Sequence, residues 1–106
     1  MERVCFRARI RAERLAEYQQ WHQNVWPEMR AALREAGWRN YSLFLADDGL
    51  LIGYLETDDF ASARRRMAET DVNRRWQAEM APYFDDVADV RPDEGVVSLT
   101  EIFHID

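Results

Sequence analysis

Trp38-Arg39-Asn40-Tyr41-Ser42-Leu43-Phe44-Leu45-Ala46-Asp47-Asp48-Gly49-Leu50-Leu51-Ile52-Gly53-Tyr54-Leu55-Glu56-Thr57 is the stretch that decides the fold. Two runs rich in leucine and aromatic residues, 38–46 and 50–57, flank Asp47-Asp48-Gly49. An Asp-Gly step between two such runs is a hairpin turn, because glycine accepts the left-handed backbone the turn requires. Tyr41, Leu43 and Leu45 then share one face of the first strand.

Working outward, Gly37 sits where a helix should end, in the position glycine favours just past the last turn. Upstream of it, Leu15, Tyr18, His22, Val25 or Trp26, Met29 and Leu33 recur at helical spacing from about Ala12 onward. Pro27 interrupts this helix, since it lacks an N–H and biases Trp26 away from helical geometry. The break is expected near residues 23–26, with Pro27 opening the second piece. Residues 3–10 alternate with period two and form the first strand.

Downstream, Asp58 or Asp59 can cap a helix starting near Phe60, and Thr70-Asp71 opens another with Val72, Trp76, Met80 and Tyr83 on one stripe. Residues 85–95 are acidic, contain Pro92 and Gly95, and read as a solvated loop. Residues 96–105 alternate again as a last strand. The order is βαββαβ, which predicts an α+β, ferredoxin-like domain over 1–106: a four-stranded antiparallel sheet with helices on one face. Val4, Phe6, Leu43, Leu51, Leu55, Leu99 and Phe103 are the expected sheet contribution to the core. The other face would carry Cys5, Phe44, Ile52, Tyr54 and Ile102 among Arg7, Arg9 and Ser42. So apolar an open face suggests a homodimer packed sheet on sheet.

With 106 residues and 47% hydrophobic content, the chain supports one thin core. A net charge of -6 argues against nucleic acid and anionic membrane as partners. A lone cysteine, Cys5, together with the absence of a signal-like or membrane-spanning run, points to the cytoplasm. No metal-ligand spacing, glycine-rich phosphate loop or nucleophile elbow is found, so neither metal nor organic cofactor is expected.

Tyr18 and His22 lie one helical turn apart on the same face. A histidine suits proton transfer near neutral pH, and a phenol beside it can donate or accept. A lone histidine among aromatics is more often a half-buried packing residue than a catalyst, so spacing alone does not make it catalytic. Tyr41 and Trp76 fall in the same layer between helix and sheet. Together these residues outline an apolar-walled pocket with hydroxyl-compatible groups, suited to a small polyol or sugar.

The blocks Tyr18-x-x-x-His22-x-x-x-Trp26-Pro27-Glu28, Asn40-Tyr41-Ser42 and Thr70-Asp71-Val72-x-x-Arg75-Trp76 closely resemble the L-rhamnose mutarotases, nearly end to end. The resemblance implies a dimeric α+β barrel that interconverts the anomers of L-rhamnose without a cofactor. It also implies His22 as proton donor, with Tyr18, Tyr41 and a pair starting at Trp76 binding the sugar. The counterpart of His22 would be Tyr18, Tyr41 or an ordered water, since no carboxylate has an obvious place.

Two features depart from that pattern. The second tryptophan of the pair is Gln77 here, which exchanges a stacking surface for an amide. The tail is Arg91-Pro92-Asp93-Glu94-Gly95-Val96-Val97 in place of Asn-Pro-Asp-Asn-Ser-Pro-Val. Two rival functions share the fold: a cofactor-free, oxygenase-like enzyme, and a non-catalytic small-molecule-binding module.

Overall fold

The computed structural model describes residues 1–85 and 92–106. Strand β1 (Glu2–Arg9) is followed by a 3-10 turn at Ala12–Arg14, then helices α1 (Leu15–Gln23) and α2 (Pro27–Glu35). Strands β2 (Arg39–Leu45) and β3 (Leu50–Thr57) come next, then helices α3 (Phe60–Ala68) and α4 (Asp71–Met80) and strand β4 (Val97–Leu99). The sheet order is β2-β3-β1-β4, antiparallel throughout. This is the α+β, ferredoxin-like arrangement expected from the element order.

Local chemistry accounts for the boundaries. Trp26 is extended (φ -51°, ψ 133°) and Pro27 takes the first helical position of α2, where its missing donor costs nothing. Helix α2 ends in a Schellman arrangement. Gly37, at φ 97°, donates its N–H to the carbonyl of Arg34, and Trp38 donates to that of Leu33. The side chain of Asp59, rather than Asp58, caps α3 by accepting from the Ser62 N–H, and Thr70 caps α4 by accepting from the Asn73 N–H.

The hairpin closes as the Asp-Gly step requires. Gly49 has φ 99°, and its carbonyl accepts the N–H of Ile10 at 2.8 Å. A Cβ at Gly49 would run into the Ile10 carbonyl. Gly53 serves differently: it lies opposite Phe6, and the Phe6 ring occupies the space a side chain there would fill.

Val4, Phe6, Leu51 and Leu55 are buried under the helices together with Tyr18, Met29, Met67, Trp76 and Met80. Two expectations for this core are corrected. Leu99 and Phe103 are 41% and 78% exposed, and the last strand covers only Val97–Leu99, not 96–105. Leu99 pairs with Cys5 and Val97 with Arg7, so both point to the open face and not to the core. Continuing that register past Glu101, whose carboxylate grips Arg3 at 2.8 Å, soon exhausts β1, which begins at Glu2. Ile102 is accordingly 93% exposed and does not belong to the sheet's open face as expected.

Three smaller differences follow from proline and packing. Ile10 leaves β1 to form an isolated bridge with Phe84. Tyr83 lies on a separate 3-10 turn, Ala81–Tyr83, because Pro82 cannot continue α4. Within the expected loop at 85–95, residues 86–91 lie outside the described residues, and Pro92–Glu94 form a 3-10 turn. Among the described residues, no helix is long and apolar enough to cross a membrane.

Candidate active site

A cavity of about 440 Å³ lies between the sheet and the helices, within the size range of small-molecule sites. All five residues singled out from sequence line it: Tyr18, His22, Tyr41, Trp76 and Gln77. Its walls are otherwise largely apolar, with Phe6, Met29, Leu33, Leu51 and Met67 among them.

His22 occupies the last turn of α1. Its Nδ1–H donates to the Tyr18 carbonyl at 2.8 Å, one turn back. That carbonyl can only accept, so the neutral imidazole keeps its proton on Nδ1 and has a bare, basic Nε2. Burial pushes the His22 pKa down, and the bond to the Tyr18 carbonyl only partly offsets this. The ring is neutral at pH 7.

The ring is also clamped. The Tyr18 ring lies 4.4 Å from it, centroid to centroid, and Trp76 meets it edge-on at 5.5 Å. Trp76 is in turn held by Trp26 at 5.0 Å and by Trp21 at 5.9 Å. The indole N–H of Trp21 donates to the Tyr83 hydroxyl at 2.9 Å. Trp21 and Trp26 therefore stand behind the site and fix its wall. Val25, in the break before Pro27, is the residue of that segment that reaches the cavity.

Tyr41 enters from the sheet. Between Arg39 and Ser42 the β2–β3 register slips, and Asn40 adopts φ 47°, a left-handed conformation that asparagine tolerates. Within this irregularity Tyr41 packs on Trp38 at 4.9 Å and on Phe6 at 6.4 Å. Burial raises the pKa of the Tyr41 hydroxyl, and the Asp93 carboxylate raises it further. Burial likewise raises that of Tyr18, with Tyr41 adding to the effect. Both phenols remain protonated donors across the neutral range.

Two participants escaped the sequence reading. Asn73, 2% exposed, donates from Nδ2 to Asp93 at 3.0 Å and accepts from the Gln77 Nε2–H at 3.0 Å. Asp93 lines the cavity and is half-buried. This corrects its assignment to a solvated acidic loop, and a carboxylate does have a place in the site. The signals were weak. Asn73 stands one turn before Gln77 on the inward face of α4, and Asp93 follows a proline in a segment with no periodicity.

Among the described residues, no three His, Cys, Asp or Glu side chains converge as a metal site would require. The arrangement offers a basic imidazole nitrogen, two protonated phenols, an amide pair and a carboxylate around an apolar chamber. Such a set can move protons on a small neutral polyol.

A family model described as L-rhamnose mutarotase matches residues 3–105. The L-rhamnose mutarotase of Bacillus subtilis is 38% identical over 92% of this chain and 91% of its own length. That of Oceanobacillus iheyensis is 38% identical over the whole of both chains. Among solved structures, an L-rhamnose mutarotase from Formosa agariphila covers both chains completely with a TM-score of 0.79 at 24% identity, which shows the shared fold. Neither the oxygenase-like function nor the non-catalytic module finds support in these comparisons.

Proposed function

The chain belongs to the L-rhamnose mutarotase family, and from that premise we propose that it is an isomerase interconverting the α and β anomers of L-rhamnose, with His22 moving the anomeric proton. The observation that carries the assignment of His22 is its bond to the Tyr18 carbonyl, which leaves Nε2 basic in a cavity that also holds two protonated phenols.

In this mechanism Nε2 takes the proton from O1–H of the pyranose. The electrons of that bond form the C1 carbonyl, and the C1–O5 bond breaks towards O5. Tyr18 or Tyr41 supplies a proton to O5 as it becomes a hydroxyl. A phenol whose pKa is raised towards that of an alcohol is well matched to this exchange. The open aldehyde turns about C1–C2, and the O5 hydroxyl attacks the other carbonyl face while returning its proton to the tyrosinate. His22, now an imidazolium, returns its proton to O1. The histidine is thus acceptor on opening and donor on closing. No redox change occurs, so the step balances without a cofactor.

Trp76 and the methionine and leucine side chains suit the C–H faces and the 6-methyl group of a deoxy sugar. Gln77, Tyr18 and Tyr41 would orient its hydroxyls. The test is two-dimensional exchange NMR on L-rhamnose, L-fucose and related sugars with and without protein. Faster exchange for L-rhamnose supports the assignment, and unchanged exchange for every sugar overturns it.

The same reading places the enzyme in the cytoplasm as a homodimer packed sheet on sheet. The open face supports this pairing: Phe44, Val97 and Leu99 are exposed there beside Cys5, Ile52 and Tyr54. Apolar residues grouped in this way fit a two-fold interface.

A further inference from the structure

The chamber carries a charge that a neutral sugar does not use. Its described lining holds three cations, Arg30, Arg34 and Arg64, against one anion, Asp93. The chain as a whole has the opposite balance, with a net charge of -6. Arginines gathered at a cavity therefore set a local field opposite in sign to that of the protein, and apolar walls focus it.

Two helices supply these side chains. Arg30 and Arg34 stand one turn apart on α2, beside Met29 and Leu33, and Arg64 stands one turn after Phe60 on α3. Trp38 joins the two sides. Its indole N–H donates to the Ala63 carbonyl at 3.3 Å, and its ring meets that of Phe60 at 6.0 Å. Arg3, Arg14, Arg74 and Arg75 are each held by a carboxylate. Among the described residues, Arg30 and Arg34 make no side-chain bond. Both are exposed while lining the cavity, so they stand at its opening to solvent. The Arg64 guanidinium lies over the Phe60 ring at 5.5 Å and donates one N–H to the Asp93 backbone carbonyl at 3.3 Å. The rest of its fork has no carboxylate partner among the described residues. Guanidinium groups left in this way match the geometry of a carboxylate or a phosphate, which they bind through paired, charge-assisted bonds.

We propose that the arginine-lined opening is an anion subsite, through which the enzyme also exchanges the anomers of aldoses bearing a carboxylate or phosphate at C6. Met29 and Leu33, which suit a 6-methyl group, lie next to Arg30 and Arg34, so an anion at C6 extends past them to the guanidinium groups. The reacting atoms are still O1, C1 and O5. The anion changes binding and leaves the chemistry at C1 as it is for L-rhamnose.

This inference rests on the sugar-site reading, and two readouts separate them: binding by titration calorimetry and anomer exchange by NMR. L-mannose, L-mannuronate and L-mannose 6-phosphate differ from L-rhamnose only at C6. At least one of the two anions should bind with a Kd about ten- to a hundredfold below that of L-mannose. Preference for the carboxylate alone identifies a uronic acid as the ligand, and preference for the phosphate alone identifies a sugar phosphate. The advantage should shrink as ionic strength rises from about 0.01 to 0.15 M. Arg30→Gln combined with Arg34→Gln should bring the anion-to-neutral ratio down about tenfold, and Arg30→Lys with Arg34→Lys should restore part of it. Equal affinity for L-mannose and both anions, or a preference that survives the double glutamine variant, would overturn the proposal. Acceleration of L-rhamnose exchange without any anion preference leaves the mutarotase reading intact. Preferential binding of an anion with no exchange accelerated for any sugar overturns that reading and the proposed anomer exchange, and leaves only the subsite.

Discussion

The Nδ1–H of His22 donates to the carbonyl oxygen of Tyr18 at 2.8 Å, one helical turn earlier. This side-chain-to-backbone bond at the end of α1 selects the tautomer with its proton on Nδ1 and leaves Nε2 unprotonated. The carbonyls of the last turn of a helix lack intrahelical partners only further on, so this bond is made by the side chain folding back along its own helix.

The first prediction concerns pH. Opening the ring requires neutral His22, whose pKa is pushed down by burial. Protonation removes the base, so kcat/KM should fall with unit slope as pH drops through a value below the ordinary imidazole range. It should stay level through neutral and mildly alkaline pH, because both phenols are held protonated. An activity that declined between pH 7 and 8 would instead require a protonated histidine as the starting state.

Tyr18→Phe and Tyr41→Phe separate the two candidate acids. Each keeps its ring contacts and loses only the hydroxyl. The variant that removes the O5 donor should lower kcat by about 10²-fold or more, while the other should mainly raise KM. Steady-state exchange rates at several sugar concentrations make the distinction. If neither substitution affects kcat, a water molecule is the proton donor.

Trp21 acts through Trp76. Trp21→Phe loses the bond to the Tyr83 hydroxyl and should cost about 1 kcal/mol. Trp21→Ala also removes the edge contact on Trp76, and should cost about 3 kcal/mol and weaken sugar binding. Denaturant unfolding and titration with L-rhamnose would check the pair.

Gly49→Ala tests the hairpin. Its backbone is left-handed and a Cβ there meets the Ile10 carbonyl, so the loss should exceed about 1 kcal/mol. Thermal unfolding would register it. A stability equal to wild type would mean that the turn is free to shift away from β1.

The proposed dimer has its own test. Phe44→Asp or Leu99→Asp places a charge on the open face where each side chain is exposed. Sedimentation velocity should report a dimer for the wild type and a monomer for either variant. A wild type that sediments as a monomer contradicts the pairing.

Much of this architecture was legible in the sequence, and the reason is physical. Asp48-Gly49, Gly37 and Pro27 each constrain one backbone step, and each acts locally as its chemistry dictates. The period-two pattern of β1 and β3 survives because one face is buried. The end of the chain was harder to read. With Val97–Leu99 at a sheet edge, alternation does not reveal which face is inward, and the pairing Cys5 to Leu99 settles it only in three dimensions. The site divides in the same way. Tyr18, His22 and Trp76 sit at helical spacing on neighbouring faces, whereas the Asn73–Asp93 contact spans 20 positions and leaves no pattern.

The central claim is that His22 moves the anomeric proton, and the His22→Ala variant measures it most directly. Its ring lies at the cavity wall rather than in the deepest core, so the variant should keep its circular dichroism and unfold cooperatively. Exchange between the α and β anomers of L-rhamnose, followed by NMR, should lose about 10²- to 10⁴-fold of its catalysed rate. A folded His22→Ala protein that exchanges anomers as fast as the wild type would contradict the account.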